Sequence, residues 1–168
     1  MIRFERVEKG KEIEKVACLA REIWTEHYTP IIGQEQVEYM LEKFQSAGVI
    51  RDQIENGVLY YLLFYRNRDA GYLALVPDSD KGKAKLSKIY VRSDLRGIGL
   101  GRSFLGLACT VCLELGIERL WLTVNKHNQR SISFYEQTGF IRAGTIVQDI
   151  GGGFVMDDYK MVKIINPD

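Results

Sequence analysis

Cysteine is scarce in this chain. Three residues in 168, an odd number, argue against a disulfide framework and for reduced thiols in a cytoplasmic setting. Histidine is scarcer still, with two. Cys109-x-x-Cys112 has the spelling of a redox or zinc pair, but it lacks a partner pair and lies inside an apolar helical stripe. It reads as core packing, and no metal is expected. Long hydrophobic runs are missing too. None reaches the ~18 residues of a membrane-spanning helix. The opening Met1-Ile2-Arg3-Phe4-Glu5-Arg6 is charged and alternating, unlike a secretory signal. Neither sign of charge is in excess: 23 Lys and Arg face 22 Asp and Glu, a formal net charge of +1. That excludes the basic domain expected of a nucleic-acid binder. There is no internal repeat and no low-complexity linker. With 46% hydrophobic and 27% charged residues, residues 1–168 read as one globular domain long enough to bury a core.

What is present is periodic. Ile2, Phe4 and Val7 predict an opening strand. Ile13, Val16, Ala17, Ala20, Ile23 and Trp24 predict a helix from about Lys11 to His27. Thr29-Pro30 should break it, because the residue before proline avoids the helical region. Helices from about Gln34 to Ser46 and from Val49 to Glu55 follow. Val58–Tyr65 and Ala70–Val76 predict a hairpin turned at Asn67-Arg68-Asp69, with a polar loop after Pro77. Then come a strand over 86–91, a helix over 99–115 and a strand over 120–124. The helix stripe is Leu100, Phe104, Leu107, Ala108, Val111 and Leu115. Asn128 caps a helix to about Thr138, and strands over 140–148 and 154–164 flank Gly151-Gly152-Gly153. This order predicts an α/β (α+β) fold: a mixed sheet with helices on both faces, and a parallel, right-handed unit from 86 to 124.

The feature that carries chemistry is Arg96-Gly97-Ile98-Gly99-Leu100-Gly101. A glycine-rich turn from a strand into a helix presents unpaired N–H groups and the positive end of the helix dipole, a cradle for a diphosphate. It fails the dinucleotide fingerprint, which needs a third glycine at Arg102 or Phe104, and it lacks the lysine of a P-loop. A tight turn without a ligand and a nucleotide-binding module remain as rival readings.

Arg96-x-x-Gly99-x-Gly101 after an Ile-Tyr-Val strand resembles the acetyl-CoA signature of the GNAT superfamily of N-acetyltransferases. Asn128 to Phe140 resembles the second signature of that family: an Asn opening a helix that reaches Tyr135, then Gly139 and Phe140. The resemblance implies a mostly antiparallel sheet of about seven strands with a central, splayed parallel pair. It implies acetyl-CoA as co-substrate, its diphosphate on the backbone of Gly97, Ile98, Gly99, Leu100, Gly101 and Arg102. The pantetheine arm would pair with Ile89 and Val91, and an N–H near Tyr90 or Val91 would face the thioester oxygen. Asn128 and Ser131 would contact the same arm.

Tyr135 is the expected general acid: a phenol with a pKa near ~10 suits a departing thiolate. Its other reading is a core aromatic beside Phe134. No carboxylate lies on Lys85–Val91, where some relatives carry a glutamate, so the base is open. Gln137 stands where relatives often have a basic residue for the 3′-phosphate, a role left to Lys126, Arg130 or Arg102. The N-terminal helices and residues 149–159 resemble bacterial polyamine-acetyltransferase-like members. The expected acceptor is therefore the primary amine of a small molecule, attacked directly in a ternary complex. Trp24 and Tyr28 are candidates to hold it by cation–π contact, with Asp149 and Asp157 to neutralise it. His27 reads as a solvated helix-end residue. Asp157-Asp158 could equally serve a turn beside Gly152-Gly153. Amino-acid or peptide amines are the alternative acceptors, a non-catalytic acyl-CoA sensor is the alternative role, and a homodimer through the last strands is a further expectation by analogy.

Overall fold

The alternating apolar pattern of the first residues builds β1 (Ile2–Arg6), and the 3.6-residue stripe after it builds α1 (Gly10–Ile32). The structure is a computed structural model and describes residues 1–166. α1 does not break at Pro30. That proline sits in the last turn, where it forfeits a single intrahelical bond, and the helix ends instead at Gly33. There φ is +88° and the N–H returns to Thr29 O at 3.0 Å. α2 (Gln34–Gln45) and α3 (Ala47–Glu55) follow, and Ser46 caps α3 by accepting from Val49 N.

β2 (Leu59–Tyr65) and β3 (Arg68–Asp78) form the expected antiparallel hairpin, but its turn lies earlier than the sequence suggests. Tyr65 pairs with Arg68, so Arg66 and Asn67 make the whole loop, at φ +50° and +63°. Two positive φ values are what a type I′ turn needs to match the twist of its strands, and asparagine tolerates them well. Arg68 and Asp69 are strand residues as a result. β3 also runs through Pro77, leaving only a short 3-10 turn at Ser79–Lys81 before β4 (Lys83–Val91).

α4 (Leu100–Glu114), β5 (Arg119–Asn125), α5 (Gln129–Gln137), β6 (Ile141–Gly151) and β7 (Phe154–Ile164) complete the chain. The predicted stripe of α4 needs one correction. Leu115 is 43% exposed, whereas Leu105 and Cys112 are buried. Leu115 lies past the end of the helix, where Gly116 at φ +69° turns the chain.

The strand order is β1-β2-β3-β4-β5-β7-β6. The β4–β5 pair is parallel, joining Lys83–Lys85 to Arg119–Trp121, while β5–β7 and β6–β7 are antiparallel. Two compact units divide the chain. One holds Met1–Val76 and Lys88–Leu105; the other holds Pro77–Ser87 and the chain from Gly106 onward. In the first, Ile13, Val16, Leu19 and Ile23 of α1, Leu41, Ile50, and the inward residues of β2 and β3 are buried. In the second, Ala108, Cys112, Leu120, Leu122, Ile132 and Met161 are buried. Among the described residues no helix is long and apolar enough to cross a membrane.

Gly71 of β3 is closely hemmed in by backbone. A Cβ there would lie 2.2 Å from Tyr90 O and 3.2 Å from a Phe104 ring carbon. An isolated glycine in a strand marks such a close approach. Gly71→Ala should therefore destabilise the protein by about 1–3 kcal/mol through overpacking. Urea unfolding of the variant checks this, and an unchanged midpoint would show that the strand yields freely.

Candidate active site

The glycine turn forms as its residue types require. Ser93–Leu95 makes one 3-10 turn after β4, Arg96 is extended, and Gly97 and Gly99 take φ +81° and +90° before α4 begins at Leu100. Nothing lies within 4 Å of a Cβ built on either glycine, and both are exposed with Ile98. The turn is thus open on the side where a ligand would approach its backbone. Gly99 O accepts from Ser103 N at 3.1 Å and from Ser103 Oγ at 3.2 Å, so it starts the helical ladder. The amides ahead of Ser103 belong to the first turn, which has no intrahelical acceptors. Arg96 turns back on the strand: its Nε donates to Val91 O at 3.1 Å. That contact fixes the loop against the end of β4. Gly101 is half-buried and Arg102 exposed.

Arg92 anchors the same strand end. Its Nε donates to Asp69 O at 2.7 Å, and its guanidinium pairs with Glu22 at 2.5 Å and Asp69 at 3.3 Å. The side chain is only 12% exposed, so α1, β3 and β4 are tied by one largely desolvated cation.

Aromatic rings fill the space beside β4 in the first unit. Trp24 and Tyr28, one turn apart on α1, meet Tyr90 at centroid distances of 5.4 and 6.1 Å, and Tyr72 meets it at 5.4 Å. The Tyr28 and Tyr90 hydroxyls are 3.1 Å apart and hydrogen-bonded. His27 packs edge-on against Tyr28 at 4.8 Å and is half-buried, so it is less solvated than its sequence position suggests. Trp24 is buried, and its indole N–H has no hydrogen-bond partner of good geometry. It lies close enough to the Tyr72 phenol to favour ionisation there, but burial wins and holds that phenol well above its ordinary pKa. The two substrate candidates on α1 are therefore brought together with a cofactor candidate, Tyr90. Ile89 and Val91 flank it on β4, both half-buried.

In the second unit Asn128 does what a helix-opening Asn should: its side-chain oxygen accepts from Ser131 N at 3.2 Å. Asn128 is buried and Ser131 half-buried. Tyr135, one turn further along α5, is 9% exposed. Its ring packs against Phe134 and Phe140 at 5.4 Å each. The ring belongs to the core beside Phe134, as the second reading of Tyr135 expects. Lys163 Nζ donates to Thr138 O at the C-terminus of α5, a favourable place for a cation.

The acidic candidates separate. Asp149 accepts from Gly151 N at 2.8 Å, which is turn chemistry. Asp157 and Asp158 lie inside β7 and serve no turn. Asp157 Oδ1 is 2.8 Å from Lys126 Nζ, a charge contact whose angles fall outside hydrogen-bond geometry. Lys126 is therefore engaged, and Arg102 and Arg130 are the exposed cations among the three phosphate candidates. Cys112 is buried and its thiol is pushed up to about 11 by desolvation, which makes it unreactive at neutral pH. No group of three or more metal-ligating side chains exists among the described residues.

Sequence reasoning missed a buried polar network under β4. Lys88 donates to Tyr60 OH and to Gln53 Oε1 at 3.1 Å, and Tyr72 OH donates to Gln45 Oε1 at 3.0 Å. A lysine flanked by Ser87 and Ile89 carries no signal of burial by itself; β2 supplies Tyr60, and α2 and α3 supply Gln45 and Gln53.

Residues 19–140 match the Acetyltransferase (GNAT) family. The chain belongs to that family. The match takes in both glycine-bearing signatures and parts of both compact units. Among curated relatives, an uncharacterized N-acetyltransferase of Mycobacterium tuberculosis is 33% identical over 96 residues, 57% of this chain and 60% of its own length. The chain thus spans about 60% of that relative. The spermidine N(1)-acetyltransferase of Thermoplasma acidophilum is 24% identical over 152 residues, covering 88% of this chain and 91% of that one. The fold is shared with the crystallised PaiA N-acetyltransferase of the same organism, a complex with coenzyme A. The TM-score is 0.76 at 23% identity, over 96% of this chain and 99% of that one.

Proposed function

We propose that the chain acts as one acetyl-CoA-dependent N-acetyltransferase domain whose acceptor is the primary amine of a small molecule, of the polyamine class. Family membership supports acetyl transfer, and the similarity to a spermidine acetyltransferase over 88% of this chain supports the acceptor class. The observation that carries the reading is the open glycine turn at positive φ leading straight into the 15-residue α4. A diphosphate fits there, because small residues and a helix N-terminus present donors without steric cover.

Acetyl-CoA supplies the acyl group already activated as a thioester. The backbone of Gly97 to Arg102 holds the diphosphate end, and the edge of Ile89–Val91 receives the amide-bearing arm as an added strand. β4 extends to Val91, beyond its parallel pairs with β5 at Lys83–Lys85, which is consistent with that use. The N–H of Tyr90 or Val91 stabilises charge on the thioester oxygen. Asn128 and Ser131 orient the arm, and the Tyr135 phenol protonates the leaving sulfur. The half-buried Tyr28 and Tyr90 offer ring faces and a hydroxyl pair to a cationic aliphatic amine, with the buried Trp24 packed behind them.

Release of free thiol from acetyl-CoA on adding spermidine, run beside a panel of diamines, amino acids and peptide amines, tests this. Turnover fastest with polyamines is expected. Transfer only to amino-acid or peptide amines would replace the acceptor class. Coenzyme binding without transfer to any amine would make the protein a sensor.

A further inference from the structure

The segment from Arg92 to Gly99 joins β4 to α4. Its apolar side chains, Leu95 and Ile98, are half-buried and exposed, so no core residue holds its shape. It also carries Gly97 and Gly99 at positive φ, and glycine loses more conformational freedom on ordering than any other residue. Polar contacts hold such a turn, and here they differ in quality. Arg68 and Asp94 pair at 2.7 Å with both side chains more than half exposed, and a solvated pair of that kind contributes little. Arg92 is the opposite case. From a largely desolvated position its guanidinium reaches Glu22 on α1 and both the carboxylate and the carbonyl oxygen of Asp69 on β3. Arg92 N donates to Ala70 O at 2.8 Å, so backbone and side chain are tied to β3 together. The turn then hangs from this point. Leu95 N donates to Arg92 O at 3.0 Å, and Arg96 Nε to Val91 O at 3.1 Å. All of these residues, with Gly97 to Arg102, belong to one compact unit.

We infer that Arg92 is a positioning residue for the coenzyme: its three-way clamp on Glu22 and Asp69 keeps the glycine turn in the one open form that a diphosphate fits. This rests on the acetyl-CoA reading above. Arg92 acts through the turn and takes no part in the chemistry. A planar guanidinium can serve the carbonyl and the two carboxylates at once, which an ammonium cannot. Without it, Glu22 and Asp69 lose their shared counter-charge at a partly desolvated point, and α1 and β3 are pushed apart there. The end of β4 is then released, and the turn visits forms in which its amides no longer converge. Affinity falls by the fraction of time the competent form is populated, because only that form binds. Once bound, the coenzyme selects the same form, so the rate at saturation is preserved.

Calorimetric titration with coenzyme A, below the Tm of every variant, tests this beside turnover with the best amine of the panel. Arg92→Met should weaken binding by at least ~10-fold, as when the competent turn is populated about a tenth of the time. The KM for acetyl-CoA should rise by a similar factor while kcat stays within about threefold, a split that mere loss of folded protein does not produce. Arg92→Lys restores the charge without the fork and should recover part of the affinity. Arg68→Met removes the exposed pair of the same turn and should stay within about twofold of wild type. If Arg92→Met does not fold, Arg92→Lys and Glu22→Gln decide. Glu22 is exposed on α1 and its loss leaves both Asp69 contacts, so its Kd should lie between wild type and Arg92→Lys. A wild-type Kd in the folded Arg92 variants overturns the inference. So does an equal loss in Arg68→Met, or a fall in kcat with KM unchanged. A wild-type protein that takes up no coenzyme A overturns the acetyl-CoA reading, and the inference with it.

Discussion

Tyr135→Phe should leave coenzyme binding intact and slow turnover by at least ~100-fold, the usual range for a general acid. The variant isolates the hydroxyl. The ring packs against Phe134 and Phe140 at 5.4 Å each, and phenylalanine preserves both contacts in a position only 9% exposed. Removing one O–H from a well-packed ring costs about 1 kcal/mol of stability, so the fold should survive. Without the phenol the departing sulfur leaves as a thiolate with no local donor. Steady-state kinetics beside calorimetric titration with coenzyme A separates the two effects. An unchanged kcat would strip Tyr135 of its chemical role and leave it a core residue.

Gly99→Val should weaken coenzyme A binding by about 10- to 100-fold while α4 still forms. Two terms add. A β-branched residue at φ +90° costs about 1–3 kcal/mol in backbone strain. Its side chain would also stand in the open space beside the first helical amides, where no protein atom now lies within 4 Å of the Cβ position. Relaxing φ would drag Gly99 O away from Ser103, whose N–H and hydroxyl it accepts at 3.1 and 3.2 Å. Gly97→Val should act in the same direction, from φ +81°. Calorimetry reads the affinity directly. A Kd equal to wild type would mean that the diphosphate binds elsewhere, and the proposed cradle would fall.

The family and the strand–helix register were legible in the sequence because they rest on local rules. Gly97, Gly99, Gly116 and Gly139 mark positive φ, and each does take it. Asn128 marks a helix start and caps α5. The errors were also local, at places where helix position or strand pairing outvoted a propensity. Pro30 stays helical because it falls in the last turn of α1. The hairpin turn falls on Arg66-Asn67 because β2 and β3 pair as far as Tyr65 and Arg68. Asp157 and Asp158, next to a glycine triplet in sequence, are strand residues because β7 begins at Phe154 and pairs along its length with β5 and β6.

By itself the sequence determined what depends on residue type and spacing: the order of elements, the glycine turn ahead of α4, the cap of α5 and the family. Tertiary structure decided which polar groups lost water. It buried Lys88 with Tyr60 and Gln53, gathered Trp24, Tyr28, Tyr72 and Tyr90 around one strand, and left Asp158 Oδ1 without a donor. Desolvation depends on what the rest of the chain brings near a side chain, and neighbours in space are not written in neighbours along the chain.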